Sequence, residues 1–189
     1  MDKAVIIGDS PFLREVEDKV NYVAERYFSL GINRAINFFK VQNHIFTDFS
    51  MLGITNKYYD VHTISLLTYG DLVRKRSKEL INTFTYKGDY VIKNSKGHLA
   101  WCGFTHDYAI SYCISKGAKE IYLIGAADFE GLNHYSSETE FKRSSILQQQ
   151  SINFIKDCAN QYVDIFTCNP NSVLEEPYIK HVSIEELLV

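Results

Sequence analysis

Short apolar runs recur along the chain and predict β-strands. The run Lys3–Gly8 is apolar up to a final glycine, which is typical of a buried strand. Lys119–Gly125 has the same pattern and is the strongest strand prediction. Further strands are predicted at Ser29–Ile32, His44–Phe49, Val61–Thr68 and Val163–Cys168.

Helices are predicted between these strands, because apolar residues there recur at spacings of three and four. Phe12–Phe28 shows this spacing from Leu13 to Tyr27, and Thr105–Lys116 shows it again, with Gly117 placed as the C-cap. The segment Phe129–Arg143 is polar and irregular. Further helices are predicted at Gly70–Leu80, Ser144–Asn160 and Ser183–Leu188, the last with Ser183 and Glu186 as a capping box.

This alternation predicts a single Rossmann-like α/β domain over residues 1–189. Crossover helices make consecutive strands parallel, so we expect a three-layer domain with a mostly parallel sheet and helices on both faces. Ile81–Ala100 contains turn signals around Gly88 and Gly97 and is expected to form a flap or a hairpin. Ligands of such sheets bind outside the carboxyl ends of the strands, which directs attention to the loops that follow strands.

Composition narrows the classes of function. With 20 basic and 23 acidic residues among 189, the chain has a net charge of −3, which argues against nucleic-acid binding but leaves a small anionic ligand open. No apolar run approaches the roughly 20 residues of a membrane span, and Met1–Gly8 is too short for a signal peptide, so we expect a cytoplasmic protein. The four cysteines are not spaced like zinc ligands. We therefore expect buried thiols and no metal site.

The loop after the first predicted strand, Gly8-Asp9-Ser10-Pro11, is the first candidate site. Gly8 permits a tight turn and a close approach of a ligand to the backbone. Pro11 at the first position of a helix would leave the N–H groups of that helix pointing at the loop, where they attract phosphate. The alternative is that Asp9 or Ser10 only caps the helix.

Two further candidates follow the next strands. Asn33 can both donate and accept hydrogen bonds, which suits a base or a ribose, and Arg34 beside it could hold a phosphate. The alternative is a turn asparagine with a surface arginine. Asp48 lies at the end of a predicted strand, where it could contact a nucleotide or cap the following helix.

The remaining candidates surround the second half of the predicted sheet. Thr105 is predicted to be the N-cap of a helix whose N–H groups form a second anion site, and His106 lies in its first turn. Asp128 ends the strongest strand. His134 lies near it in a polar loop, where it could act as a general base or be an inert surface residue.

Several of these segments resemble two related Rossmann-type families. One comprises the small bacterial sialyltransferases of lipo-oligosaccharide, and the other is the motility-accessory and archaeal pterin-pyrophosphokinase-like family. The first loop is similar to the Gly-Asn-Gly-Pro-Ser loop of both families, and Asn33 to the asparagine that ends their second strand. The remaining similar segments are Ala109–Ile110, Gly117–Gly125 with Asp128, Phe104–His106 and Cys168–Leu174.

The resemblance implies a nucleotide-sugar-dependent glycosyltransferase with a CMP-sugar donor and a saccharide acceptor. The implied nucleotide contacts are Gly8, Asp9, Ser10, Asn33, Asp48, Thr105, His106 and Asp128. His134 would be the general base on the acceptor hydroxyl, and Tyr135 would support the leaving phosphate.

Two alternatives to the transferase stay open. A pyrophosphokinase of the 6-hydroxymethylpterin type would bind ATP with Mg²⁺, held by Asp9, Asp48 or Asp128. A protein that binds a nucleotide without catalysis would use the same fold. The sequence does not specify the oligomeric state, and a homo-oligomer is compatible with it.

Overall fold

The computed structural model describes residues 1–46, 51, 62–65, 84–85, 104–127, 132–134, 137–140, 145–170, 172–174 and 177–189. The strands are β1 (Lys3–Ile7), β2 (Phe28–Ile32), β3 (Asn43–Phe46), β4 (His62–Ser65), β5 (Phe84–Thr85), β6 (Glu120–Ile124), β7 (Leu132–His134), β8 (Ser137–Glu140), β9 (Asp164–Thr167) and β10 (Ile179–His181). The helices are α1 (Glu17–Arg26), α2 (Thr105–Ser115) and α3 (Ser145–Gln161), with 3-10 helices at Pro11–Glu15, Asn33–Asn37 and Ile184–Leu187.

Eight of the described strands form one sheet in the order β10-β9-β6-β1-β2-β3-β4-β5. Every pairing between them is parallel. The strands from β1 to β5 extend the sheet in one direction, and β6, β9 and β10 extend it in the other. The strand order therefore reverses between β1 and β6, and the prediction of a Rossmann-like α/β fold is confirmed.

Strand β1 shows why the domain has three layers. Its residues alternate between two separate hydrophobic clusters, with Ala4 and Ile6 in one and Val5 and Ile7 in the other, and all four are fully buried. The first cluster includes the apolar residues of α2 and α3, and the second includes those of α1. A strand buried on both faces reads as a continuous apolar run, which is the pattern seen in the sequence.

The helix predicted at Phe12–Phe28 is two elements. A 3-10 helix at Pro11–Glu15 is followed by α1, which begins at Glu17 after Val16 with a non-helical φ of −129°. Periodicity does not detect this break, since residues three apart lie on the same side in both kinds of helix. The C-cap prediction is confirmed, because Gly117 has a φ of +81° and its N–H and that of Ala118 donate to the carbonyls of Ile114 and Cys113 at 2.9 and 3.0 Å.

The prediction that Phe129–Arg143 is irregular is wrong where the structure describes it. Strands β7 and β8 pair there as an antiparallel hairpin, with His134 opposite Ser137. Their sequences, Leu-Asn-His and Ser-Glu-Thr-Glu, are short and polar and give no strand signal. The sequence also gave no prediction for β10.

Other predictions have mixed outcomes. The Ser183–Glu186 capping box is present, with the Ser183 N–H donating to Glu186 Oε1 at 2.8 Å, but it begins a 3-10 helix. Within Ile81–Ala100 only Phe84–Thr85 is described, so the predicted flap or hairpin lies largely outside the described residues. These two residues pair in parallel with β4. The helix predicted at Gly70–Leu80 lies outside them too.

Buried thiols were predicted for the four cysteines, and three can be assessed. Cys113, Cys158 and Cys168 are buried free thiols, whereas Cys102 lies outside the described residues. None of the described helices has the length and apolar character needed to cross a bilayer.

Candidate functional site

Strands β6, β1 and β2 end side by side at one edge of the sheet, called here the carboxyl edge, and the loops that follow them begin there. Ile7 of β1 is in register with Ile124 of β6 and with Gly31 of β2. Neighbouring strands lie about 4.8 Å apart, so the loop Gly8–Pro11, called the first loop, is flanked by the loop after β6 and by Asn33. The fold thus groups three of the predicted site segments where the strand order reverses.

The first loop and the loop after β6 are in close backbone contact. The Gly8 N–H donates to the Ile124 carbonyl at 2.9 Å, and a Cβ atom on Gly8 would lie only 1.9 Å from the Gly125 carbonyl oxygen. Gly125 itself has a φ of +61°, and a Cβ atom there would meet Leu13 and Ser10. Gly8 therefore accommodates a neighbouring loop of this chain, and the predicted approach of a ligand to its backbone stays a prediction.

The predicted α-helix start at the first loop is wrong. Ser10 precedes the five-residue 3-10 helix Pro11–Glu15 and makes no side-chain capping hydrogen bond. Helix α1 begins only at Glu17, with Glu17 and Asp18 in its first turn. The segment that follows the first loop is therefore a five-residue 3-10 helix, and the binding of a phosphate by this loop stays a prediction.

Asn33 and Thr105, two candidates far apart in the sequence, meet at the carboxyl edge. The Thr105 hydroxyl donates to the Asn33 side-chain oxygen at 3.2 Å. Asn33 follows β2 directly and has a φ of 48°, a left-handed conformation that asparagine tolerates better than most residues. Thr105 begins α2, and this pair therefore marks the N-terminus of an α-helix at the edge where ligands of such folds bind.

Thr105 is not the N-cap that the sequence predicted. That position is Phe104, whose backbone N–H donates to Asp107 Oδ2 at 3.3 Å. A full capping box also needs an acceptor on the side chain of the N-cap residue. Phenylalanine has none, so only this hydrogen bond of the box is present. Thr105 is instead the first residue of the helix, which leaves its hydroxyl to reach Asn33.

His44 holds the backbone of Asn33 in place, a role that no sequence pattern indicates. Its Nε2 lies 2.7 Å from the Asn33 carbonyl oxygen, and its ring stacks on Phe46 with centroids 5.4 Å apart. Burial lowers the pKa of His44 to about 4, and the hydrogen bond to Asn33 opposes this only partly. The imidazole is therefore neutral near pH 7, with Nε2–H as the donor, and its Nδ1 has no partner among the described residues.

His106 belongs to a buried polar network between α2 and α3. The Ser151 hydroxyl donates to Asp107 Oδ1 at 2.6 Å, and His106 Nε2 lies 2.8 Å from the same hydroxyl, which can accept its proton. The three side chains are at most 3% exposed, and the His106 ring stacks on Phe104. This network ties the start of α2 to α3, and the predicted contact of His106 with a nucleotide stays a prediction.

The network could have been found only in part from the sequence. Asp107 occupies the third position of α2, where an acidic residue commonly completes a capping box. Ser151 lies three and four positions before Phe154 and Ile155, which places a hydroxyl on the apolar side of α3. Neither signal indicates that the two side chains share a hydrogen bond.

The predicted catalytic residues are described incompletely. His134 ends β7, and only its backbone is described; Tyr135, Asp48 and Asp128 lie outside the described residues. Strand β7 contacts the 3-10 helix Pro11–Glu15, so the backbone that carries His134 lies beside the segment that follows the first loop. The described residues contain no group of three His, Cys, Asp or Glu side chains that could hold a metal ion.

Comparison with known proteins adds one structural relationship. The sequence matches no protein-family profile and no curated protein. The fold is similar to the structure of a MAf glycosyltransferase from Magnetospirillum magneticum AMB-1, with a TM-score of 0.66 and 11% identity. The similarity covers 96% of this chain and 34% of the other, so this chain spans about a third of that protein's length. At this identity, the likeness shows that the two proteins share a fold.

Proposed function

We propose that the chain is the nucleotide-sugar-binding core of a glycosyltransferase, with a CMP-type donor. The observation that carries the proposal is the junction of Asn33 and Thr105 at the start of α2, on the carboxyl edge of the sheet. The fold shared with a MAf glycosyltransferase supports the reaction class.

The start of α2 would hold the donor phosphate. An α-helix of 11 residues carries a partial positive charge at its N-terminus, which favours an anion. The Asp107 carboxylate in the first turn offsets part of this charge and accepts from the Phe104 N–H. The Asn33 amide, beside it, can donate to and accept from a base or a ribose hydroxyl. A left-handed asparagine at such a junction is the kind of strained residue that clusters at ligand sites.

The proposed chemistry is a direct displacement at the sugar's anomeric carbon. His134 would take the proton of the acceptor hydroxyl while that oxygen forms the new bond and the bond to the nucleotide phosphate breaks. The negative charge that grows on the leaving phosphate would be stabilised by the N–H groups at the start of α2, with Tyr135 as a further donor. No covalent intermediate with the protein is required.

The experiment is calorimetric titration of the chain with CMP, CTP and ATP, each with and without Mg²⁺. Thr105→Val removes the hydroxyl but keeps its shape, and we expect it to weaken CMP binding about tenfold, a plausible loss for one hydrogen bond in a ligand site. Ser115→Ala removes a hydroxyl at the opposite end of the same helix and serves as the matched control. Equal CMP affinity in both variants would contradict the proposed site.

The same titrations separate the alternatives. Binding of ATP only in the presence of Mg²⁺ would replace the transferase by the pyrophosphokinase. CMP binding together with sugar transfer that is lost in His134→Ala, at unchanged CMP affinity, supports the transferase. CMP binding with no transfer to any acceptor would identify a nucleotide-binding protein without this activity.

A further inference from the structure

A cleft of about 430 Å³ opens at the carboxyl edge, on the side of the first loop that faces α1. Its described lining comprises Phe12, Glu15 and Val16, which follow β1, residues 168–170, which follow β9, and residues 181–185 at the end of β10 and beyond. A volume of this size lies in the usual range of small-molecule pockets, roughly 300–1,000 Å³.

The cleft lies at the reversal of the strand order. Strand β6 lies between β1 and β9 in the sheet, so walls that follow β1 and β9 stand on either side of its carboxyl end. Cys168 and Ile184 of the lining pack in the cluster that contains α1, whereas Ala109 and Ile110 of α2 pack in the other cluster. The cleft and the Asn33–Thr105 junction are therefore on opposite faces of the sheet, with the first loop between them.

The cleft combines apolar surface with groups that hydrogen-bond to hydroxyls. Phe12, Val16 and Ile184 supply the apolar part. Asn169 is only 6% exposed, and His181 is exposed, with Nε2 3.1 Å from the Leu174 carbonyl oxygen. The Asn169 amide can donate and accept hydrogen bonds, and because His181 Nε2–H donates to the Leu174 carbonyl, the imidazole offers a polyol its Nδ1 as an acceptor.

The described lining offers an anion no lysine or arginine side chain. Glu15 and Glu185 of the lining are acidic. A hydrogen bond from Lys19 lowers the pKa of Glu185, which keeps its carboxylate ionised at neutral pH. Glu185 is paired with the Lys19 ammonium, which lies outside the lining, so the Glu15 carboxylate is the main charge that would oppose a phosphate or a carboxylated sugar. Both carboxylates can accept hydrogen bonds from hydroxyl or ammonium groups.

We propose that this cleft binds a neutral or amino-bearing saccharide and that this saccharide is the glycosyl acceptor. The acceptor role rests on the function proposed above; the choice of ligand rests on the lining alone. The anionic nucleotide and the uncharged acceptor would then enter from different faces of the sheet and meet above the carboxyl edge, where the acceptor oxygen must reach the anomeric carbon. Strand β7, which contacts the 3-10 helix Pro11–Glu15, brings the backbone of His134 to the same region.

Saturation-transfer NMR on the full chain tests the ligand class without any reaction. The probes are methyl β-galactoside, glucosamine and N-acetylneuraminic acid, each at millimolar concentration without nucleotide. We expect transfer to the first two and none to the third. Transfer to N-acetylneuraminic acid equal to that of the galactoside, or transfer to none of the three, would overturn the proposal.

Two double variants test whether the saccharide binds in the cleft. Glu15→Gln combined with His181→Ala removes one carboxylate and one imidazole from the cleft, and we expect at least about a fivefold loss of saccharide affinity. Asp18→Asn combined with Lys180→Ala changes exposed residues outside the lining and should keep the wild-type affinity. Matching thermal unfolding of both double variants shows that folding is intact. An unchanged affinity in the cleft variant would place the saccharide elsewhere and refute the assignment.

The acceptor role is tested separately by titrating CMP into the same samples. CMP binding without saccharide binding overturns the cleft assignment and leaves the proposed function standing. Saccharide binding in the cleft without CMP binding supports the ligand class and overturns the acceptor role together with the proposed function. Binding of both, with Glu15→Gln/His181→Ala affecting only the saccharide, supports the division between the two faces.

Discussion

At the scale of single residues, Asn33 combines backbone strain with a candidate ligand contact. Its φ of 48° lies in the left-handed region, its carbonyl accepts from His44, and its side chain accepts from Thr105. Asn33→Gly and Asn33→Ala both remove the side-chain contact, but only alanine is strained at this φ. We expect the alanine variant to be less stable than the glycine variant by about 1 kcal/mol in urea denaturation. Equal stability would show that the left-handed backbone is not retained.

His44 makes stability depend on pH in a defined window. Its folded-state pKa of about 4 lies below the ordinary value of 6.5, so the unfolded chain binds more protons between these values. The stability contributed by the neutral ring is complete above pH 6.5 and is lost as the pH falls towards 4, by up to about 3 kcal/mol. Urea denaturation at pH 4.5, 5.5 and 6.5 measures this slope.

The control for this prediction is His44→Gln, which keeps an N–H donor but does not titrate in the window. We expect a shallower loss of stability towards low pH in this variant than in the wild type, since the carboxylates of the chain still titrate in both. An identical slope in the two proteins would mean that His44 is not the group responsible.

The sequence indicated Asn33 and Thr105 but not the residues that hold them. Both candidates follow from simple rules, a polar residue after a strand and a hydroxyl residue at a helix start. His44 lies inside a buried strand, and its contact with Asn33 depends on the pairing of β2 with β3 in register. Such contacts arise from tertiary structure, and a pattern in one segment of sequence does not contain them.

At the scale of elements, the carboxyl edge depends on the close backbone packing of the first loop against the loop after β6. Gly8 has no room for a Cβ atom because the Gly125 carbonyl lies in its place, whereas Gly117 has a positive φ and nothing within 4 Å. We expect Gly8→Ala to destabilise the fold by at least about 3 kcal/mol, as a backbone clash must be relieved, and Gly117→Ala by about 1 kcal/mol from conformational strain alone. Thermal or urea unfolding of the two variants provides the comparison, and a smaller effect at Gly8 than at Gly117 would contradict it.

Strands and helices could be predicted where burial leaves a pattern of apolar residues in the sequence. Strands β1 and β6 are buried on both faces and stand out as apolar runs, and the glycine after α2 identifies its end. The β7–β8 hairpin and β10 have three or four residues each, and their polar residues give neither an apolar run nor an alternation. Short elements of this kind are determined by their neighbours in the fold.

At the scale of the whole molecule, the sheet order places the two proposed sites on either side of the first loop. The reversal between β1 and β6 brings the first loop between the α2 face, with its helix start, and the α1 face, with its acidic cleft. Under the proposed function, a chain with a net charge of −3 would hold an anion there through peptide N–H groups and not through a basic patch. The division also explains how one edge could accommodate an anionic donor and an uncharged acceptor.

Nucleotide binding at this edge should stabilise the whole domain, since the proposed site is built from strands of the sheet and from a helix that packs on it. A ligand at a hundred times its dissociation constant adds about 2.7 kcal/mol, and for 189 residues each kcal/mol raises the melting temperature by about 2–4 °C. We therefore expect CMP to raise the melting temperature of the wild type by roughly 5–10 °C in thermal scans. Thr105→Val at the same CMP concentration should show a smaller rise and Ser115→Ala the full one. Absence of a rise in the wild type with CMP, while ATP and Mg²⁺ produce one, would assign the start of α2 to a different nucleotide and with it to a different reaction.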